Sequence, residues 1–163
     1  MTSHAISIPD FELDSGMKVL LPGAQFGDCF RVTVDDAADA AMDARQAAER
    51  MFLRQPGWIS TLMKLRNIMV TPFGLKRPTH RKILAGDSIG PFPVVSETPQ
   101  RLVAGFDDKH LDFRIVVDVT GHAPNRQVSA TTLVKTNNLL GRVYLNLIMP
   151  LHRIIVPAML RNI

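Results

Sequence analysis

The stretch DDKHLDFR, from Asp107 to Arg114, is the densest run of residues able to do chemistry, with three carboxylates, a histidine, a lysine and an arginine in eight positions. Two carboxylates and a histidine can ligate a divalent cation, and a His–Asp pair can move a proton. The same letters also have a purely architectural reading. DDK is hairpin-turn chemistry, and on a strand His110, Asp112 and Arg114 share one face, opposite Leu111, Phe113 and Ile115. Asp112 and Arg114 would then be neighbours able to form an ion pair. Elsewhere the reactive side chains are scattered. Arg66 falls on an apolar stripe, either as a stem with its charged head in water or as a group turned toward a ligand. Tyr144 and His152 lie within a long apolar segment, each fit for a core hydrogen bond or for contact with a bound molecule. Cys29 lies in a β-rich run and reads as a buried, inert thiol. There is no G-x-S-x-G, no H-E-x-x-H, no C-x-x-C and no phosphate-binding P-loop, so no cofactor and no metal is expected.

These residues need a scaffold. GDCFRVTV (Gly27–Val34) has the β-branched and aromatic content of a strand. It leads into an alanine-rich helix that Asp35 or Asp36 can cap, with Ala41, Ala44, Ala48, Met51 and Phe52 at helical spacing. Pro56 and Gly57 break that helix. A second is expected from Trp58 to about Met69, carrying Arg66, with Trp58 stapling it to the body. Beyond it four short extended segments follow, Phe92–Thr98, Arg101–Phe106, His110–Val119 and Arg126–Thr136. Separators of hairpin length divide them.

The chain then ends in NLLGRVYLNLIMPLHRIIVPAMLRNI, from Asn138 to Ile163. Its longest uncharged run, Val143 to Leu151, is too short for a bilayer span of about 20 residues, and a spanning helix would bury His152 and Arg153 near mid-membrane. No membrane span is expected. Projected as a helix, the segment places Pro150 and Pro157 on one narrow face with Arg142, Asn146 and Arg153, where water can satisfy the carbonyls that each proline frees. The opposite side, centred on Tyr144, Ile148, Leu151 and Ile155 with Met159 beside them, is apolar. Such a helix bends around a core.

Composition sets the outer limits. With 163 residues and 46% hydrophobic content, one core and one domain over residues 1–163 are expected, with residues 1–20 as an extended N-terminal arm. The lone cysteine suits a reducing, cytoplasmic setting. Asp10, Glu12 and Asp14 stand where a secretory signal would be basic and then apolar. No Asp or Glu occurs from Val119 onward, whereas Arg126, Lys135, Arg142, Arg153 and Arg161 are basic. This leaves peripheral contact with an anionic membrane open, but the bases are spread singly without aromatic interleaving, so nucleic-acid binding is not expected.

Strand, two helices, an antiparallel meander and a long closing helix is an α+β order that resembles the helix-grip fold of START lipid-transfer domains, the birch-pollen allergen family and polyketide cyclases. LPGAQFGDCFRV, QPGWISTLMKLRNIMVTPFGL, GFDDKHLDFR and KTNNLLGRVYLNLIMPLHRIIVPAMLR are similar to stretches of a bacterial family, domain-of-unknown-function family 2867. The resemblance covers most of the chain from Leu21 onward. It implies a curved antiparallel sheet wrapped around the C-terminal helix, with a cavity between them for a small apolar or amphipathic molecule. Tyr144, Ile148, Leu151, Ile155 and Met159 would line that cavity, with Arg66, His110, Arg114 or His152 orienting a polar group. The alternatives are a polyketide-cyclase-like enzyme using acid–base residues in the same cavity, and a peripheral membrane or interaction module using the basic helix.

Overall fold

Strand pairing begins with the β-rich run at Phe26. The computed structural model describes residues 6–8, 13, 15–34, 42–53, 57, 87–122 and 124–163. In chain order its elements are β1 (Ile6–Ser7), α1 (Ser15–Leu20), β2 (Phe26–Val34), α2 (Ala44–Leu53), β3 (Ser88–Ile89), β4 (Phe92–Glu97), β5 (Arg101–Asp107), β6 (Leu111–Thr120), β7 (Arg126–Thr136) and α3 (Leu139–Leu160). The strands form one antiparallel sheet in the order β1-β2-β7-β6-β5-β4-β3. The meander from β4 to β7 follows from short turns that allow only neighbouring pairing. β2 returns to pair with β7 in the register Phe26↔Val134 through Val34↔Arg126. The arrangement is α+β and consistent with the helix-grip fold: a curved sheet with a long C-terminal helix against it. Of the two helices expected after the first strand, α2 is seen, while the one expected over 58–69 lies outside the described residues. So do Asp35 and Asp36; the described helix is capped by Asp43, whose Oδ1 accepts from the Gln46 amide at 2.8 Å. Residues 1–20 contain β1, paired with β2, and α1.

Alternation along the strands gives the sheet two apolar faces. The inner face presents Phe30, Val32, Leu102, Ala104, Ile115, Val117, Val128 and Ala130 to α2 and α3. From α2 come Ala44, Ala47, Ala48 and Met51, all fully buried. An alanine stripe brings the helix axis close to the strands because no long side chain intervenes. Arg45 beside it reaches Asp87 at 2.6 Å and also pairs with Glu97, tying α2 to the β4 edge. The outer face carries a smaller core of Val103, Val116 and Leu133 beneath Leu21, with Met17 and Leu20 of α1 packed on it.

The closing helix is held at both ends. Its C-terminal half buries Ile155, Val156, Met159 and Leu160. At its start Asn138 caps it, Oδ1 accepting from the Gly141 amide at 3.0 Å, while Asn138 Nδ2 donates to the Lys109 carbonyl at 3.1 Å and the Asn137 amide donates to the His110 carbonyl at 2.9 Å. The helix thus starts on the β5–β6 hairpin turn. Gly141 is the point of closest approach: a Cβ there would stand 2.1 Å from the His110 carbonyl oxygen. Pro150 faces solvent and Pro157 is half-buried. The outward face is less polar than the helical projection indicates, because Leu139, Val143, Leu147 and Ile154 are exposed as well. By length and composition alone α3 could cross a membrane, with 22% of its most apolar window buried; in the fold its inner side faces β2 and β7. Between its two anchored ends that inner side bounds a cavity.

Candidate functional site

The cavity lies between the middle of α3, the end of α2 and the inner face of the sheet, is partly open to solvent and has a volume of about 220 Å³. Helical spacing on α3 turns Tyr144, Ile148, Leu151, His152, Ile155 and Met159 into it. Met51 and Phe52 close the α2 side. From the sheet, Phe92, Phe106 and Phe113 form an aromatic wall, with Phe92 and Phe113 centred 5.1 Å apart and Phe106 and Phe113 5.7 Å apart. Phe52 meets Phe92 edge-on at 5.8 Å. Offset and edge-on contacts of this kind are favourable arrangements for aromatic quadrupoles and hold a wall rigid.

One end of this apolar space is polar. His152 Nε2 is 3.1 Å from Asp28 Oδ1, joining residues 124 apart in sequence. The imidazole also meets the Phe30 ring edge-on at 6.4 Å, so it is positioned on both flanks. With Nε2 directed at the carboxylate, the neutral ring carries its proton there and keeps its lone pair on Nδ1. Asp28 is the direct cross-strand partner of Thr132, and Thr132 lines the cavity. Two buried polar atoms here have no hydrogen-bond partner, Asp28 Oδ2 and Thr132 Oγ1. Asp108, from the hairpin turn, lines the cavity, whereas Asp28 stands behind His152.

The residues singled out from sequence separate into three groups. Tyr144, Ile148, Leu151, His152, Ile155 and Met159 come together around the cavity. Arg66 lies outside the described residues. His110 and Arg114 stand apart from the cavity lining, for physical reasons that differ. His110 is in the hairpin turn, where Asn138 Nδ2 approaches its Nδ1 at 2.9 Å. Because Oδ1 of that asparagine accepts the Gly141 amide, its nitrogen is the donor and His110 keeps its proton on Nε2. His110 therefore serves the start of α3. Arg114 is on the outer face, in line with Val116, and pairs with Asp107 at 2.7 Å while donating to the carbonyls of Phe106 and Phe113. The expected Asp112–Arg114 neighbours each take another partner, since Asp112 pairs with Lys135 at 3.4 Å. Among the described residues no group of three or more His, Cys, Asp or Glu side chains is placed to hold a metal ion.

Asp28 and Thr132 were not marked in the sequence, although a signal for Asp28 exists. On a strand it shares a face with Phe30, Val32 and Val34, and a carboxylate on an apolar face needs a partner. The partner, from the far end of the chain, is what sequence spacing does not show. Cys29, one position on, is buried on the other face, and its burial pushes the thiol above its ordinary range.

Comparison with known proteins adds one match. The family model described as a protein of unknown function, DUF2867, matches residues 20–159, from the end of α1 to the last turn of α3. No curated protein and no solved structure matches the chain.

Proposed function

The chain belongs to the DUF2867 family, and on that premise we propose that it binds a small apolar or amphipathic molecule in the cavity between the sheet and α3. The observation that carries the reading is a cavity whose described lining is mostly aliphatic and aromatic, with a few polar side chains, His152 and Thr132 among them. Ligand sites typically combine a mostly apolar lining with a few placed polar groups. A cavity of about 150 Å³ is enough for benzene, so the 220 Å³ here suits a ligand of about ten non-hydrogen atoms. Kinship with START-like and polyketide-cyclase-like helix-grip proteins, and a cytoplasmic setting, belong to the same proposal.

The test is binding of 1-naphthylamine, a fluorophore of about the size the cavity admits whose emission shifts to the blue in apolar surroundings, compared between the native chain and Ile148→Trp. Ile148 lines the cavity without being fully buried, so an indole there fills the space. Binding that falls more than about tenfold in the folded variant supports the reading, a loss in keeping with excluding most of a ligand's contacts. Equal binding in both proteins places the probe elsewhere and removes the support.

One observation favours a second reading, an acid–base enzyme of the polyketide-cyclase type. A lining histidine, His152, is held by a carboxylate behind it, with Asp28 fixing its tautomer in the manner of a base and its orienting carboxylate. His152 Nδ1 would then accept a proton from carbon next to a carbonyl. Deuterium uptake at the acidic methylene of 2-tetralone, followed by NMR, tests this reading: exchange at the buffer rate would remove it, and exchange lost in His152→Gln would sustain it.

A further inference from the structure

Provided the cavity is a ligand site, as proposed above, its polar atoms narrow what the ligand can be. Buried polar groups without partners are uncommon in folded chains, and two of them stand together here. Asp28 Oδ2 is an acceptor, while Thr132 Oγ1 can both donate and accept. The two residues are register partners across β2 and β7, which sets their Cβ atoms about 5 Å apart on the same face. Asp28 spends its other oxygen on His152, and Thr132, 2% exposed, lines the cavity. A single hydroxyl group between these side chains would answer both, its O–H donating to Asp28 Oδ2 and its oxygen accepting from the Thr132 hydroxyl.

Charge supplies an independent restriction. Among the described lining residues there is no lysine or arginine, whereas Asp108 lines the space and Asp28 stands behind His152. An anionic head group would enter a low-dielectric site beside carboxylates, with no lysine or arginine among the described lining residues to offset them. An ammonium group would have to shed its hydration among aliphatic and aromatic side chains. A neutral hydroxyl meets neither obstacle.

We propose that the cavity takes a neutral alcohol or phenol of about ten non-hydrogen atoms, its hydroxyl seated between Asp28 and Thr132. The test uses three probes of one shape, 2-naphthol, naphthalene and 2-naphthoate, titrated calorimetrically into the full chain and into Thr132→Val and Asp28→Asn. In the native chain 2-naphthol binds at least about tenfold tighter than either of the others, the scale of one well-made hydrogen bond. Thr132→Val keeps the side-chain shape and Asp28→Asn keeps an acceptor for His152, so both variants retain naphthalene affinity and bring the three probes within about threefold of one another. Naphthoate binding as tightly as naphthol in the native chain overturns the proposal, and so does a naphthol preference that survives both substitutions. Either result leaves the cavity as an apolar site of another specificity. If none of the three probes binds, the ligand-site reading falls and this inference falls with it.

Discussion

Gly141→Ala is a substitution for which helix propensity and the local geometry give opposite signs. Alanine inside a helix is favoured over glycine by up to about 1 kcal/mol, so propensity alone predicts a more stable protein. At Gly141, however, the added methyl would stand 2.1 Å from the His110 carbonyl oxygen, and real contacts of this type begin at 3.0 Å. The obstacle is backbone, which cannot swing aside like the end of a side chain. The start of α3 must therefore back away from the β5–β6 turn by about 0.9 Å, the difference between those two distances. That joint is made of Asn137 N to His110 O at 2.9 Å, Asn138 Nδ2 to His110 Nδ1 at 2.9 Å and Asn138 Nδ2 to Lys109 O at 3.1 Å. Each would be stretched past hydrogen-bond length. At about 1 kcal/mol apiece, less the propensity gain, the net destabilisation is about 1–3 kcal/mol. For a chain of this size that corresponds to a fall in melting temperature of about 3–10 °C. Urea unfolding and a thermal melt measure it directly. A variant as stable as the native protein, or more so, would refute the account of how α3 is anchored.

Two further outcomes follow from named groups. The Arg45 guanidinium, bonded to Glu97 and Asp87, holds the Glu97 carboxyl below its ordinary value of 4.5; a lowered carboxylate contributes stability above that ordinary value and loses it as pH falls through the depressed one. Arg45→Met should accordingly melt lower than the native chain at neutral pH, with the gap closing in acid and shrinking in high salt, and a gap independent of pH would show that the pair does not act this way. Cys29, buried with its thiol pushed upward, should react with a disulfide reagent such as 5,5′-dithiobis(2-nitrobenzoate) only after denaturation; prompt reaction of the native chain would contradict its burial.

Much of the fold is legible because its signals are local. Alternation and short separators mark β2 and β4 through β7 almost to the residue, and the apolar inner face of α3 follows from helical spacing. The two-residue strands β1 and β3 are too short to show any period, and they owe their existence to the neighbours they pair with. Outward exposure of Val143, Leu147 and Ile154 was hidden for a different reason. An apolar arc shows which side chains are fit for burial, but the amount of neighbouring surface decides how many are buried, and α3 is anchored at its ends over a cavity. The site divides in the same way. Tyr144, Ile148, Leu151, His152, Ile155 and Met159 share one helix face, so spacing groups them. Arg114 could be assigned to a face with Asp112 by alternation, but only the tertiary structure tells which face fronts the cavity. Asp28 and Thr132 meet His152 through strand pairing across the whole chain, a relation with no periodic signature.

The small core on the outer face of the sheet, where α1 covers Val103, Val116 and Leu133, bears on how such a chain can change over time. The central strands β5, β6 and β7 are clamped from both sides, and their backbone amides should be the last to exchange with solvent. The cohesion of the sheet then does not depend on what occupies the other side. Side chains around the cavity are free to drift in size and polarity while the strands beneath stay in register, so one scaffold can be re-specified for new ligands without first being rebuilt.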